Sequence, residues 1–370
     1  MIRKKLSRYF LLIFFLYFYN GQTAIQPWRF FAQTDLKAIH TAIIENHPAS
    51  TGFASKTFQK WFQPGFIKAL KRTQRVHSYQ SYLAVLHYYA DGFQDEHLYL
   101  QDCSKKISFK QKPQFSISTL GQDSIWISIP TFQPHDDKNT QHALNAIAER
   151  IINFRNKSSI ILDLRGNTGG NARYGRAILR SLYGDNYIAS LRNNSIWNKP
   201  WRIAYRVSQA NVHYWRMQRD ANLAKRMQTA LLKGKVFIFS TVSLLPKLTY
   251  RQSELMHAPK AKVYLVTDEH CSSACWLFVR SALQLPNVTL IGQATHFMSR
   301  YTQANPIVLP SRRLVIYIPT QVYLYPLQHF GKRFIPHYRY KGDISKTEML
   351  KRWVISTISI KEFKSLSTES

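Results

Sequence analysis

Two short segments hold the residue types that a hydrolytic site needs. The first runs Lys262-Val-Tyr-Leu-Val-Thr-Asp-Glu-His-Cys-Ser-Ser-Ala-Cys-Trp-Leu-Phe278. Residues 263–266 read as a buried strand, 267–272 as a polar turn, and 273–279 as the opening of a helix. A serine at such a junction has its hydroxyl near free backbone N–H groups and the positive end of the helix dipole. That is a place for a nucleophile whose reaction develops negative charge. It is also an ordinary place for a serine that caps a helix. The second segment is a strand-like run, 159–164, that ends in Arg165-Gly166-Asn167-Thr168-Gly169-Gly170-Asn171. Its glycines let the backbone turn tightly and approach a ligand. Their N–H groups can converge on an oxyanion or a phosphate.

Other chemistries find less support. The glycine spacing is neither a phosphate loop ending in Gly-Lys-Ser/Thr nor a dinucleotide fingerprint. The chain has no Gly-x-Ser-x-Gly elbow and no His-Glu-x-x-His. Asp268, His270, Cys271 and Cys275 are metal-ligand types, but their spacing fits no structural zinc pattern. No metal or other cofactor is implied.

Taken together, the motifs resemble the tail-specific, or C-terminal processing, serine peptidases and their tricorn-core relatives. Asp163-Leu-Arg-Gly-Asn-Thr-Gly-Gly170 is similar to that family's Asp-Leu-Arg-x-Asn-x-Gly-Gly, and Ser273-Ala274-Cys275-Trp276 to its nucleophile turn. Gly292-Gln293-Ala294-Thr295 is similar to its Gly-Glu-x-Thr segment, and Asp95-Glu96-His97 to its Asp-x-His. The stretch 125–132 resembles the strand that opens the catalytic core. The resemblance implies an α/β fold with a crotonase/ClpP-like core and a polypeptide substrate. It implies a serine-type endopeptidase with Ser273 as nucleophile. The oxyanion would lie between the N–H groups of Gly169 or Gly170 and of Ala274.

The departures from the family pattern are informative. Many members carry a lysine base, and alignment on Gly292 puts Met298 there, which cannot accept a proton. Members with that lysine also insert a peptide-binding PDZ module, yet only about 28 residues separate His97 from Ile125. A module of that kind needs on the order of 80. The tricorn-like branch uses a histidine at the Asp-x-His position, so His97 is the candidate base, with His296 as competitor. An imidazole of ordinary pKa, about 6.5, suits neutral proton transfer. Asp343 and Asp95 are candidates for the orienting third group, and His270 reads as a turn residue. Loss of the lysine keeps open a second reading: an inactive binding protein on the same fold.

Composition frames these residues. The chain has 370 residues, 45% of them hydrophobic, and a formal net charge of +31. Its basic residues are spread without a long run and no nucleic-acid motif occurs, so nucleic acid is not the expected partner. An anionic membrane surface is the better candidate, each nearby cation adding about 1 kcal/mol. The basic stretch 1–8 and the apolar run 9–19 resemble a secretory signal or an N-terminal anchor. An exported protein of a periplasm or cell envelope is therefore expected. Cys271 and Cys275 could close a local disulfide if the first lies outside the helix, or remain free buried thiols. Cys103 would then be unpaired.

These readings imply an organisation. Residues 1–24 form the signal or anchor and 25–112 a small helical domain carrying His97. Residues 113–354 form the α/β peptidase core and 355–370 a tail. Within the core, 193–232 reads as an insertion, a lid or a structural cap. Helices are expected over 35–44, 79–89, 172–182 and 348–354, and a strand over 309–319.

Overall fold

The computed structural model describes residues 27–103, 114–134, 137–191, 201–218, 220–242, 257–325 and 330–366. The expected signal or anchor lies outside them. Among the described residues no helix is long and apolar enough to cross a membrane. The helices are α1 (Trp28–Asn46), α2 (Lys56–Thr73), α3 (Tyr79–Asp91), α4 (Lys138–Arg150), α5 (Ala172–Tyr183), α6 (Asp185–Ser190), α7 (Gln209–Met217), α8 (Ala221–Leu232), α9 (Ala274–Ala282) and α10 (Thr347–Leu366). The strands are β1 (Tyr99–Asp102), β2 (Ser116–Leu120), β3 (Ser124–Ser128), β4 (Ser159–Asp163), β5 (Trp201–Arg206), β6 (Phe237–Val242), β7 (Lys262–Thr267), β8 (Val288–Gly292), β9 (Tyr301–Val308), β10 (Leu314–Tyr325) and β11 (Tyr338–Arg339).

The chain divides into two compact units. The first comprises 1–106, 206–236 and 303–320. Its helices α2 and α3 begin at side-chain caps that satisfy orphan N–H groups. Ser55 accepts from Phe58 N–H at the start of α2, and Ser78 and Ser81 form a reciprocal box at α3. Asp35, buried in α1, accepts from Tyr82 Oη at 2.6 Å and from the N–H of Ser311 at 3.0 Å. The stretch expected as one insertion over 193–232 is divided, because 206–236 belongs to this first unit. The reason is hydrogen bonding to a residue distant in the chain: Ser208 Oγ donates to Asn46 Oδ1 at 2.6 Å, and buried Asn211 Nδ2 donates to Asn46 O at 3.1 Å.

The second unit comprises 107–205, 237–302 and 321–370. Its sheet has the order β11-β8-β7-β4-β3-β2, parallel except for the β2–β3 pair. Parallel strands covered on both faces read as continuous apolar runs, which is why 160–162 and 263–266 stood out in the sequence. Ile160, Leu162, Val263 and Leu265 face one core with α4, α5 and α9. Ile161, Tyr264 and Val266 face the other with Leu350 and Val354 of α10.

Two expected boundaries move. The helix drawn over 348–354 continues to Leu366, into the residues expected as a tail. No glycine or proline interrupts 347–366. The strand drawn over 309–319 begins only at Leu314, because Leu309 N–H donates to Leu314 O across a tight turn with Arg312 at φ +57°.

Candidate active site

Three loops leave the C-terminal ends of β4, β7 and β8, all within the second unit. In open parallel sheets this end is where ligands bind. The Asp163–Gly170 loop is held by its own polar side chains. Arg165 grips the Asp163 carboxylate at 2.8 and 2.6 Å and reaches Thr347 Oγ1 at 3.1 Å, which ties the loop to the start of α10. Asn167, fully buried, donates from Nδ2 to Ile129 O at 2.9 Å. Its Oδ1 accepts the N–H of Gly169 at 2.9 Å.

The β7–α9 loop is latched onto the first. Asp268 Oδ2 accepts the Gly166 N–H at 2.9 Å, and Ser272 Oγ donates to Thr168 O at 3.1 Å. Asp268 Oδ1 also accepts the His270 N–H at 3.0 Å, so His270 is the turn residue its position suggested. The β8 loop joins through the His296 N–H, which donates to Cys271 O at 3.1 Å. Sequence reasoning missed Asn167 and Asp268 as organisers. Their signal was an Asn or Asp two residues before a turn N–H, the local bonding these side chains favour.

Ser273 is the N-cap of α9, yet its hydroxyl makes no capping hydrogen bond. Its backbone sits at φ +50° and ψ −118°, a region that L-residues avoid. Such strain costs about 1–3 kcal/mol and persists only where surroundings impose it. The half-buried Oγ of Ser273 has no hydrogen-bond partner among the described residues.

The glycines explain why the loops can meet. A Cβ on Gly169 would lie 2.8 Å from both Ala274 N and Ser273 Cβ. A Cβ on Gly170 would lie 2.4 Å from the carbonyl carbon of Phe132. Of the expected oxyanion donors, Gly169 N–H is engaged by Asn167. The N–H groups of Gly170 and Ala274 have no acceptor among the described residues.

The other expected residues fall as follows. His296 is part of this loop cluster; its Nδ1 lies 2.9 Å from Phe297 O. In the tautomer with hydrogen on Nδ1, that bond leaves Nε2 as the acceptor. Met298, at the aligned lysine position, is buried. Asp343 is exposed, and its Oδ1 accepts from Ser345 N–H at 3.0 Å and Ser345 Oγ at 2.7 Å. Those bonds hold its carboxyl below the ordinary carboxylate pKa. His97 belongs to the first unit, with Nδ1 3.7 Å from Glu96 Oε1. Beside it, Asp95 accepts the His97 N–H at 3.1 Å and faces Nε2 of buried His47 at 3.4 Å. Burial pushes the His47 imidazole below its ordinary pKa while Asp95 pulls the other way.

Cys271 and Cys275 form a disulfide. Cys271 precedes the helix, and the sharp backbone at Ser273 brings the two Cα atoms to 5.3 Å. Cys103 is free and exposed. The bond closes a short loop, so the chain-entropy contribution is about 2 kcal/mol. Replacing both residues by alanine is expected to lower the unfolding free energy by about that amount, read from the denaturant midpoint. An unchanged midpoint would remove the disulfide from the stability account.

A free, strained serine at a helix start, facing a glycine loop across unengaged N–H groups, is an arrangement built for acyl transfer. The family model for peptidase family S41 matches residues 125–339, and the chain belongs to that family. By family it is a serine peptidase, a hydrolase. Among solved structures, mature CPAF in complex with lactacystin is similar at 10% identity, over 90% of this chain and 99% of that one, with a TM-score of 0.56. A Parabacteroides merdae protein described as a candidate peptidase is similar at 14% identity, over 88% of this chain and 96% of that one, with a TM-score of 0.51. At these identities the likeness concerns the fold. A comparison with curated proteins finds no match.

Proposed function

We propose that the protein is a serine endopeptidase in which Ser273 Oγ attacks a peptide carbonyl. The observation that carries this reading is the Ser273 backbone at φ +50° with a hydroxyl that does not cap its helix. The tetrahedral oxyanion is received by the N–H groups of Gly170 and Ala274, with Gly169 supplying the open space rather than a donor. Each such donor is worth roughly 10²–10³ in rate. His97 takes the hydroxyl proton and returns it to the leaving amine, a role resting on its chemistry and on the Asp95-Glu96-His97 match. His296 is the competing base. Asp343, exposed and closing its own turn, keeps a turn role. An exported location, against an anionic envelope surface, follows from the N-terminal sequence and the net charge of +31.

The test is labelling by a serine-reactive fluorophosphonate together with cleavage of an unfolded protein substrate. Label on Ser273 and release of internal fragments are the expected results. His97→Ala is expected to lower the labelling rate by roughly 10²–10⁴, and His296→Ala to leave it near wild type. The reverse pattern would transfer the base role to His296. A folded protein that takes no label supports the inactive binder that the buried Met298 allows.

A further inference from the structure

The residues Cys271-Ser272-Ser273-Ala274-Cys275 form a covalent ring with Ser273 at its middle. Within that ring lies a tight turn. The Cys275 N–H donates to Ser272 O at 2.9 Å, the bond that closes a four-residue turn over 272–275. Ser273 is its first central residue. The Ser273 φ of +50° and ψ of −118° are those of a type II′ turn, about +60° and −120° at this place. Type II′ turns favour glycine there, because a side chain is strained. The Leu277 N–H donates to Ser273 O at 3.0 Å, so α9 starts directly from the strained residue.

The turn's own hydrogen bond does not select this form. A type I turn keeps the same bond with an ordinary negative φ at its first central residue, and it suits serine. The strained form must therefore be held from outside the turn. Two hydrogen bonds fix the entry: the His296 N–H on Cys271 O at 3.1 Å, and Ser272 Oγ on Thr168 O at 3.1 Å. Both act on the chain before Ser273. The disulfide differs, because it joins the residue before the turn to the turn's last residue. It spans Ser273 from both sides and holds the two Cα atoms 5.3 Å apart. Both cysteines are fully buried in the core of the second unit. Relaxation of Ser273 would re-aim one end of the ring against the other, which the bond opposes.

What the strain achieves is a direction. Rotation in φ swings Cβ about the N–Cα bond, and here Ser273 Cβ lies beside the glycine loop. A carbon added to Gly169 would stand 2.8 Å from it. A relaxed Ser273 would turn its Cβ off that line, and Oγ with it. Neither cysteine has exposed surface, so a reductant does not reach the sulfurs of the folded protein. The bond is a fixed clamp rather than a switch.

We propose that Cys271 and Cys275 are positioning residues for the nucleophile: their disulfide clamps the 272–275 turn in its type II′ form and so keeps the Ser273 side chain beside the glycine loop. Neither cysteine touches the reacting atoms. The proposal rests on the reading of Ser273 as the nucleophile, but the clamp itself is measurable without catalysis.

Two measurements on the full chain test it. The first is the rate at which a fluorophosphonate labels Ser273 without denaturant, well below the melting temperature. In Cys271→Ala/Cys275→Ala that rate is expected to fall about 10²-fold, the cost of misplacing a reacting group by about 1 Å. Wild type refolded and held in dithiothreitol should show the same loss and recover on reoxidation. A bond that only stabilises would lower the denaturant midpoint and leave the labelling rate unchanged, which would overturn the proposal. The second measurement compares denaturant midpoints and needs no chemistry at Ser273. With the disulfide intact, Ser273→Gly is expected to unfold at a higher midpoint than Ser273→Ala. In the Cys271→Ala/Cys275→Ala background that advantage is expected to vanish or reverse, because a free turn no longer imposes positive φ. A glycine advantage of the same size in both backgrounds would also overturn the proposal. Reduced chains keep both cysteine side chains and open no cavity, so they carry both comparisons where the alanine pair does not fold. A reduced chain that cannot fold would make the bond a requirement of the fold and overturn the positioning role. The two readings fail separately. Wild type that takes no label removes the nucleophile alone, whereas labelling that survives loss of the bond removes only the clamp.

Discussion

Ser273→Ala is expected to abolish hydrolysis while the protein stays folded. The loss should be on the order of 10⁴-fold or more, the range seen when a nucleophile acting with a base is removed. Stability should hold because the Ser273 hydroxyl makes no capping hydrogen bond, so its removal orphans nothing. The same geometry makes a second substitution informative. Ser273→Gly also removes the nucleophile, but glycine occupies φ +50° without the Cβ penalty. It should be more stable than Ser273→Ala by about 1 kcal/mol. Activity would be followed with an unfolded protein substrate, and stability by denaturant melts. Undiminished turnover in folded Ser273→Ala protein would end the serine mechanism. A Gly variant less stable than the Ala variant would show that the serine backbone is not strained.

The second large effect concerns a residue with no side chain. Gly169→Ala is expected to cut activity at least about 10²-fold, because its added carbon occupies the space in front of the Ala274 N–H and removes that donor from the oxyanion. Its new Cβ would stand 2.8 Å from Ala274 N, 2.8 Å from Ser273 Cβ and 2.9 Å from Ser272 O. Two of those three atoms are backbone, so the loop itself must shift. The residue also sits at φ +102°, where alanine is strained by about 1–3 kcal/mol. Gly166→Ala serves as the control. Gly166 is at φ +71° with nothing within 4 Å of the added carbon. It should lose stability through strain and keep the labelling rate of Ser273. Equal labelling of the Gly169→Ala and wild-type proteins would show that the space beside Ala274 N–H is not where the oxyanion forms.

Much of the fold was legible in the residues themselves. The runs at 160–162 and 263–266 are uninterrupted apolar stretches, and they became the central parallel strands β4 and β7. The glycine loop and the small-residue turn after β7 were recognisable because both follow strands and precede helical periodicity. Other features depended on partners distant in the chain. Residues 206–236 join the first unit through Asn46, a contact no local pattern signals. Helix α10 outran its expected end because only a breaker would have marked one.

The site divides along the same line. By itself the sequence determined the elements, the motif order and the residue types: a serine at a strand–helix junction, glycines able to face it, and no lysine at Met298. The tertiary structure alone decided that Ser273 is strained and does not cap. It decided that Asn167 occupies the Gly169 N–H while Gly170 and Ala274 find no acceptor among the described residues, and that Arg280 is buried among aromatic rings. The reason is physical. Periodicity and turn chemistry act between neighbours in sequence, whereas burial and competition for hydrogen-bond partners depend on which distant residues fold against them.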